Sequence, residues 1–296
     1  MSFSHDVKNE LCQVRPASCC KYAECYGMLL FGRSFQKGDI SFLTASKDVA
    51  TRLAELIKSC FDITVTVSEG GVKKPTYLIS ITDDVVIKRI LIKYDRYGTN
   101  AFMGINYEFL KKECCIEAFL RGVFLSCGSV CDPEKSFHAE FAIKNSALSG
   151  DFFTILTERG LSPRYTERQG KSVIYFKNGA DIEDLLTAIG ATMHSLEIMN
   201  VQILKDIRNK TNRIKNCDNG NISRNIEASL LQCAAIEKLK KADKLSTLSP
   251  ELYEVAVLRL EHPNHSLSEL CKLMGNKITR SGMNHRIKKL LELAER

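Results

Sequence analysis

Along the first two thirds of the chain, apolar and polar residues form the same series of helix-like and strand-like patterns twice. Runs with helical spacing alternate with short β-rich segments, and Gly, Pro or Asp marks the ends of several of them. The first copy occupies about residues 19–93. Its predicted elements are a helix (about 20–31), a strand (40–45), a helix capped by Ser46, a hairpin (61–68 and 76–82) and a helix that Asp83 and Asp84 open.

The second copy, about residues 114–190, repeats that order after a similar apolar helix, and a short helix at 2–11 precedes both copies. Its predicted elements are a helix (115–126), a strand (138–144), a helix (146–159), a hairpin (162–168 and 172–177) and a helix from Asp181 to near Gly190. The pattern predicts an α+β domain over residues 1–190, with pseudo-two-fold αββαββα order and two mixed sheets under a central helix pair.

The two apolar helices are copies of one segment. CCKYAECYGMLLFGRS (19–34) and CCIEAFLRGVFLSCGS (114–129) agree at six of sixteen positions, including both Cys-Cys pairs and a central glycine, Gly27 or Gly122. A glycine inside a helix costs roughly 1 kcal/mol against alanine, so it usually has a packing reason. We expect the helices to pack closely at Gly27 and Gly122.

This doubled glycine helix resembles the LAGLIDADG helices of homing endonucleases. The resemblance implies a sheet saddle that straddles duplex DNA, and one metal-binding carboxylate just before the final glycine of each helix. Those two positions are Gly32 and Cys127 in this chain. Magnesium prefers oxygen ligands, which glycine lacks and which a cysteine sulfur does not supply. We therefore expect no catalytic residues and no enzymatic activity. An alternative is a residual metal-dependent nuclease that recruits carboxylates from elsewhere, such as Asp39 or Asp132.

The twelve cysteines follow no secreted disulfide framework, and the N-terminus has no apolar signal segment. No run approaches the roughly 18 apolar residues that span a membrane. We expect a cytoplasmic, nucleoid-associated protein with reduced thiols and no membrane contact. Cys12, Cys19, Cys20 and Cys25 suggest a zinc cluster, but no CxxC pair is present, and buried thiols fit a predicted helix better. No metal and no cofactor are expected.

The net charge of +7 lies entirely near the C-terminus. Residues 1–204 contain 24 basic and 24 acidic residues, whereas residues 205–296 contain 18 basic and 11 acidic ones. A basic segment on a neutral body is typical of polyanion binding, although a solvated helical surface has the same composition. The uneven charge makes double-stranded DNA the expected partner.

Beyond residue 190 the pattern is wholly helical. A basic helix (194–215) precedes NCDNGN (216–221), a turn-rich segment that predicts a linker. The predicted organisation is therefore a repeat domain (1–190), a basic helix with linker (191–224) and a helical DNA-binding domain (225–296).

The helical domain carries the signature of a helix-turn-helix. Helices are predicted at 225–241 and 250–260, and Ser266 and Glu269 form a capping box for the next one. Gly275 ends that helix, and after a short turn Thr279 caps a final helix. The final helix has one apolar face, which predicts its core contacts: Met283, Ile287, Leu290, Leu291 and Ala294.

A second face of the final helix is polar and contains no acidic residue before Glu292. Asn pairs with adenine, and Arg or Lys with guanine or phosphate, at the N-terminal half of a recognition helix. We assign base contact to Arg280, Asn284 and Lys288, phosphate contact to Ser281, Arg286 and Lys289, and DNA proximity to Thr279 (mainly a cap) and His285. The alternative is a small helical bundle with a charged exposed face.

The combination resembles the WhiA family of bacterial sporulation and cell-division proteins over essentially the whole chain. The most specific segments are RNKTNRIKNCDNGNISRNI (208–226), LRLEHPNHSLSEL (258–270) and ITRSGMNHRIKKL (278–290). The resemblance implies a DNA-binding transcriptional regulator, with other transcription or division proteins as further partners. An interaction protein of the division machinery with secondary DNA binding is the main alternative. The internal repeat already supplies a two-fold relation, so we expect a monomer.

Overall fold

The chain divides near Lys205 into two units, Met1–Lys205 and Asp206–Arg296. The structure, a computed structural model, describes residues 2–71, 75–98 and 104–295. A 50-residue helix crosses the boundary between the units.

The described residues of the first unit form seven complete helices, several of which start at a side-chain cap. The side chains of Ser46, Asp83, Asn145 and Asn178 each accept a hydrogen bond from a backbone N–H in the first turn, which satisfies donors that a helix start leaves unpaired. The helices are α1 (Phe3–Gln13), α2 (Ser18–Leu30), α3 (Lys47–Phe61), α4 (Asp84–Lys93), α5 (Glu113–Cys127), α6 (Ser146–Glu158) and α7 (Gly179–Ile189), with a 3₁₀ turn at Tyr107–Leu110.

Two four-stranded sheets repeat one topology, β1-β2-β4-β3 and β5-β6-β8-β7. All six strand pairs among the described residues are antiparallel, so the expectation of mixed sheets is wrong. Each repeat therefore has the order helix, hairpin, helix, hairpin, helix. The strands are β1 (Ser34–Gln36), β2 (Asp39–Thr44), β3 (Val67–Gly70), β4 (Thr76–Ile81), β5 (Gly128–Val130), β6 (Ala139–Ile143), β7 (Arg164–Arg168) and β8 (Lys171–Phe176).

Helices α2 and α5 form the centre of the first unit and meet at their glycines. A Cβ on Gly27 would lie 2.5 Å from the Phe119 carbonyl oxygen, and one on Gly122 would lie 2.2 Å from that of Glu24. Real Cβ atoms do not approach so closely, so only glycine permits this helix spacing. The surrounding core includes fully buried aromatic rings from both repeats, such as Tyr26 and Phe141.

A buried ion triad lies beside the Gly122 contact. The Glu24 carboxylate, which has no exposed surface, accepts hydrogen bonds from Arg52 of α3 and from Arg121 of α5. Arg121 also donates to the carbonyl oxygen of Ile189, at the end of α7. The triad therefore joins both repeats through one carboxylate, and a buried charge of this kind requires its partners.

The predicted linker at 216–221 is wrong, because helix α8 runs without a break over Thr192–Lys241. The segment contains no proline, and its single Gly220 costs only roughly 1 kcal/mol in a helix. Asn and Asp disfavour a helix interior only weakly, so a continuous basic helix on both sides carries through them. The predicted helices at 194–215 and 225–241 are parts of α8.

The second unit is helical, with a separate apolar core. After α8 come a 3₁₀ turn (Leu245–Thr247), α9 (Pro250–Glu261), α10 (Leu267–Leu273) and α11 (Arg280–Glu295). Its core side chains lie on α8, α9, α10 and α11, for example Ile236, Val255, Leu270 and Ile287. Among the described residues, no helix is both long enough and apolar enough to cross a membrane.

Candidate nucleic-acid interface

The turn before α11 is fixed by local backbone chemistry. Gly275 and Asn276 have φ angles of 66° and 56°, the left-handed conformation that glycine and asparagine adopt most readily. The Asn276 amide donates to the Cys271 carbonyl oxygen at 2.9 Å, which closes the end of α10. Thr279 then caps α11, since its hydroxyl accepts a hydrogen bond from the Gly282 amide at 3.2 Å. These contacts set the direction in which α11 begins.

Helix α10 starts at a reciprocal capping box. The Glu269 carboxylate accepts from the Ser266 amide at 2.6 Å, and the Ser266 hydroxyl accepts from the Glu269 amide at 3.3 Å. The hydrogen bond from the Ser266 backbone holds the pKa of the Glu269 carboxyl below its usual range. Although α10 has only seven residues, its start is thus well defined.

A buried arginine fixes the loop between α9 and α10. Arg259 is almost fully buried, and its Nη1 donates to the His265 carbonyl oxygen at 2.6 Å. Burial lowers the pKa of its guanidinium. The Ser229 hydroxyl of α8 donates to the Pro263 carbonyl oxygen in the same loop. This role of Arg259 could not be predicted, because an isolated arginine on an apolar helix gives no sign of burial.

The apolar face of α11 packs into the second core. Met283, Ile287 and Leu290 are buried, while Leu291 and Ala294 are half-buried against the same cluster. The helix is therefore held by one face, and the opposite face is left to solvent.

The exposed face of α11 holds most of the residues that we assigned to DNA. This surface is polar, whereas the core face is apolar, and no carboxylate occurs on α11 before Glu292. A polar surface free of acidic groups suits the edges of bases and the phosphates of a duplex. The exposed residues are Thr279, Arg280, Ser281, Asn284, His285, Lys288 and Lys289.

Arg286 differs from its neighbours. Its side chain is half-buried, and Nη2 donates to the Glu251 carboxylate of α9 at 3.1 Å. The pair joins α11 to α9. The Glu251 carboxylate partly neutralises the Arg286 guanidinium, which we assigned to phosphate contact. Arg286 is thus placed as a contact between helices, with phosphate contact remaining a prediction.

In the first unit, the two former acid positions do not suit a magnesium ion. Gly32 lies at a cavity of about 290 Å³ whose described lining includes Arg33, Arg96 and Lys144 but no carboxylate. Cys127 ends α5, and burial raises the pKa of its thiol to about 12. Cationic and neutral side chains are poor partners for Mg²⁺, which binds through oxygens.

The alternative carboxylates are engaged in local contacts. Asp39 accepts a hydrogen bond from the Ser41 hydroxyl at 3.1 Å, and Asp132 accepts one from the Glu134 amide at 3.0 Å. Both contacts stabilise the turns in which the aspartates lie. Nothing in these contacts joins either aspartate to Gly32 or Cys127.

The four N-terminal cysteines, which we considered as a zinc cluster and set aside in favour of buried thiols, do not come together. Cys12 and Cys25 lie apart from the Cys19 and Cys20 pair, and Cys25 instead contacts Cys60. Cys19 and Cys20 meet Cys114 and Cys115, the matching pair of the second repeat. The signal was present in the repeat alignment, where both pairs occupy the same positions.

Comparison with known proteins identifies the family. A model of the WhiA LAGLIDADG-like domain matches residues 116–208, and a model of the WhiA C-terminal HTH domain matches residues 211–294. A protein from Ruminiclostridium cellulolyticum named "Probable cell division protein WhiA" is 34% identical, with 100% of this chain and 98% of that protein covered. The chain belongs to the WhiA family.

Two further comparisons agree with this WhiA assignment. A protein of the same name from Clostridium tetani is 33% identical over 100% of this chain and 98% of its own length. The crystal structure of full-length WhiA from Thermatoga maritima has a TM-score of 0.62 and 23% identity, and covers 100% of this chain and 98% of that one. The latter likeness supports the fold: a LAGLIDADG-like unit followed by a helical WhiA C-terminal region.

The WhiA LAGLIDADG-like model begins inside α5 and therefore matches the second repeat. The first repeat is recognised here by its matching strand order and by the Gly27 to Gly122 packing. The WhiA HTH model spans α9, α10 and α11, the helices that carry the exposed polar face.

Proposed function

We propose that this chain is a non-enzymatic protein that binds double-stranded DNA with sequence specificity and regulates transcription in cell division, chromosome segregation or sporulation. The observation that carries the proposal is the exposed polar face of α11, which a capped turn and an apolar core hold in a fixed orientation. A recognition helix needs both properties, because base contacts require side chains that are accessible and also positioned.

Roles follow from position on α11. Arg280, Asn284 and Lys288 contact base edges, since their donors and acceptors lie on one exposed face near the start of the helix. Ser281 and Lys289 contact phosphates beside them, and His285 lies between the two sets. The uneven charge of the chain supports the same partner, because the positive excess falls in residues 205–296.

The absence of catalysis is part of the proposal. It rests on the donor set at Gly32 and Cys127, where the described residues supply no pair of carboxylates to hold a metal. The first unit then serves as a scaffold or a DNA-facing or protein-facing surface. We also propose that the protein is a monomer, because the two repeats already supply the pseudo-two-fold relation. We propose further that it lies with its DNA partner in the cytoplasm, at the nucleoid.

A second function has its own support. Ile222, Ile226 and Leu230 lie on one face of α8, and each side chain is more than half exposed. Such a stripe suits a protein partner, and relatives carry the name of probable cell division proteins. In this reading, contact with the division machinery is primary and DNA binding is secondary.

Chromosome occupancy mapping beside transcript profiling of a deletion strain separates the two functions. Regulation predicts discrete occupied sites whose neighbouring transcripts change when the gene is deleted and recover with the wild-type gene. Complementation with Asn284→Ala should restore protein level but only reduced occupancy of these sites, whereas Lys58→Ala, an exposed lysine of α3, should restore both in full. Occupied sites without transcript changes would favour the division role, and an absence of discrete sites would contradict the proposal.

A further inference from the structure

The two central helices begin with four cysteines that the fold brings together. Cys19 and Cys20 occupy the first turn of α2, and Cys114 and Cys115 occupy the first turn of α5. Their four sulfur atoms all lie within 4.8 Å of one another. Within the described part of the chain, no other group of three or more Cys, His, Asp or Glu side chains has its ligand atoms so close together. The pairs are symmetric copies, so the cluster is a product of the repeat.

The spacing of these sulfurs suits a single tetrahedral metal ion. Four thiolates at about 2.3 Å from a zinc ion lie about 3.8 Å from one another. Cys19 Sγ and Cys20 Sγ are 3.8 Å apart. Because the remaining separations are below 4.8 Å, small side-chain rotations would complete a tetrahedron. A set of four sulfur ligands selects zinc over magnesium or calcium.

Half of the cluster is buried and half is accessible. Cys20 and Cys115 are each 5% exposed, whereas Cys19 and Cys114 are exposed. A cavity of about 290 Å³ opens beside Cys19 and Cys115, which gives an ion a route to the sulfurs. The arrangement provides fixed inner ligands together with an entry path, as a metal site requires.

The two helix N-termini and several lysines place positive charge near the cluster. Both helices direct the partial positive charge of their N-termini at the cluster. Lys93, Lys111 and Lys112 line the neighbouring cavity together with Glu108, which pairs with Lys111, so the lining has a positive excess. Metal binding at these sulfurs would release the thiol protons, because a metal ion binds the thiolate form.

We propose that Cys19, Cys20, Cys114 and Cys115 form a structural tetrathiolate site for one Zn²⁺ ion, which links the two repeats at the start of their central helices. The expectation of no metal considered only cysteines near the N-terminus of the chain. The zinc site is independent of DNA recognition by α11, so either proposal can fail without the other. Its role is to hold α2 against α5 at the end nearest the cysteines, while Gly27 and Gly122 hold their middles.

The test uses the full-length chain, purified with a thiol reductant and without chelator, and supplied with Zn²⁺ alone. We expect one zinc per chain by elemental analysis. Replacement of the zinc by Co²⁺ should give the intense visible absorption and the sulfur-to-cobalt charge-transfer band of a tetrahedral tetrathiolate. Binding of less than half an equivalent of zinc, or cobalt spectra without the charge-transfer band, would overturn the proposal.

Variants locate the ion. Cys19→Ser with Cys114→Ser keeps the buried thiols and should still fold, as circular dichroism can verify, because the glycine contact between α2 and α5 is unchanged. Its affinity for zinc, measured against a coloured chelator, should fall by more than the roughly 10- to 100-fold that loss of an outer-shell partner costs. Cys217→Ser, at an exposed cysteine of α8, is the control and should keep full affinity.

Two results from the variants would contradict the site. One is unchanged zinc affinity in the Cys19→Ser, Cys114→Ser chain, which would place the ion elsewhere. The other is a disulfide between the two pairs in zinc-loaded protein under reductant, which mass spectrometry would detect as a loss of two hydrogens and which would make the cluster a redox pair.

Discussion

Arg121 of the second repeat donates two hydrogen bonds to one carboxylate oxygen of Glu24 in the first, Nε and Nη2 lying 3.0 and 2.9 Å from Oε2. Neither side chain has appreciable contact with solvent. Arg52 completes the triad from the other side of the same carboxylate, with Nε 2.8 Å from Oε1. The charge network thus lies between the two central helices, away from Gly32 and Cys127 at their C-terminal ends, and it serves packing between the repeats.

Removal of the central charge should destabilise the first unit strongly. Glu24→Gln leaves two buried guanidinium groups facing each other without a carboxylate, and breaking a buried ion network in this way costs about 3–5 kcal/mol. Urea denaturation followed by circular dichroism would measure the loss. Glu55→Gln, at an exposed position of α3, is the control and should change stability by no more than about 0.5 kcal/mol.

The combination Glu24→Leu, Arg52→Met and Arg121→Met tests the origin of that loss. Since no charge then stays buried, most of the stability should return. A triple variant as unstable as Glu24→Gln would argue against the electrostatic explanation.

Gly122→Ala should separate the central helices. The added Cβ would lie 2.2 Å from the Glu24 carbonyl oxygen, and backbone atoms cannot rotate away as a side chain can. We expect a loss of at least about 1–3 kcal/mol, the usual cost of overpacking a core. Gly150→Ala in α6 is the matched control, because a Cβ there meets nothing within 4 Å and should be neutral or stabilising. Equal effects from the two substitutions would refute close packing at Gly122.

The Ser266 half of the capping box should protect the amides of α10 from exchange. Ser266→Ala removes the cap and should cost about 1 kcal/mol, visible as faster amide exchange in peptides that cover residues 267–273. Ser268→Ala, exposed on the same helix, should not accelerate exchange. No difference between the two variants would indicate that the cap is not formed in solution.

The Glu269 half of the box has a defined pH dependence. Because its folded pKa is lowered, the Glu269 contribution to stability is complete above the ordinary carboxyl pKa of about 4.3 and is lost as the pH falls through the lowered value. The protection that wild-type α10 has over Glu269→Gln should therefore be constant near neutral pH and disappear on acidification. If the difference in protection from amide exchange grew below pH 4, the pKa of Glu269 would not be lowered in the folded protein.

Periodicity predicted most of the helices, the doubling of the repeat and six of the eight strands among the described residues. It missed β1 and β5, because three-residue strands that follow directly on a helix are too short to show alternation. The pattern predicts a strand at 61–68, but α3 extends to Phe61, Asp62 adopts a left-handed turn with a φ of 57°, and the strand begins only at Val67. β-branched residues favour strands in general, and here the helix end and the turn outweighed that preference.

The exposed face of α11 could be predicted because it follows from a single 3.6-residue period. Features that depend on contacts between distant segments could not. The Glu24 triad joins residues from three helices, and Arg286 finds its partner Glu251 in α9. The cysteine cluster is intermediate, since its two pairs were visible in the repeat but their proximity required the crossing of α2 and α5.

The central claim is that α11 reads DNA sequence, and selection of bound duplexes from a random-sequence pool tests it most directly. Wild type and Lys58→Ala should enrich one motif. Asn284→Ala should lose preference at one base position, about 1–3 kcal/mol of discrimination, whereas Lys289→Ala should keep the motif, bind all sequences more weakly and reduce the salt slope by about 1. Enrichment of an unchanged motif by Asn284→Ala, Lys288→Ala and Arg280→Ala alike would contradict the account.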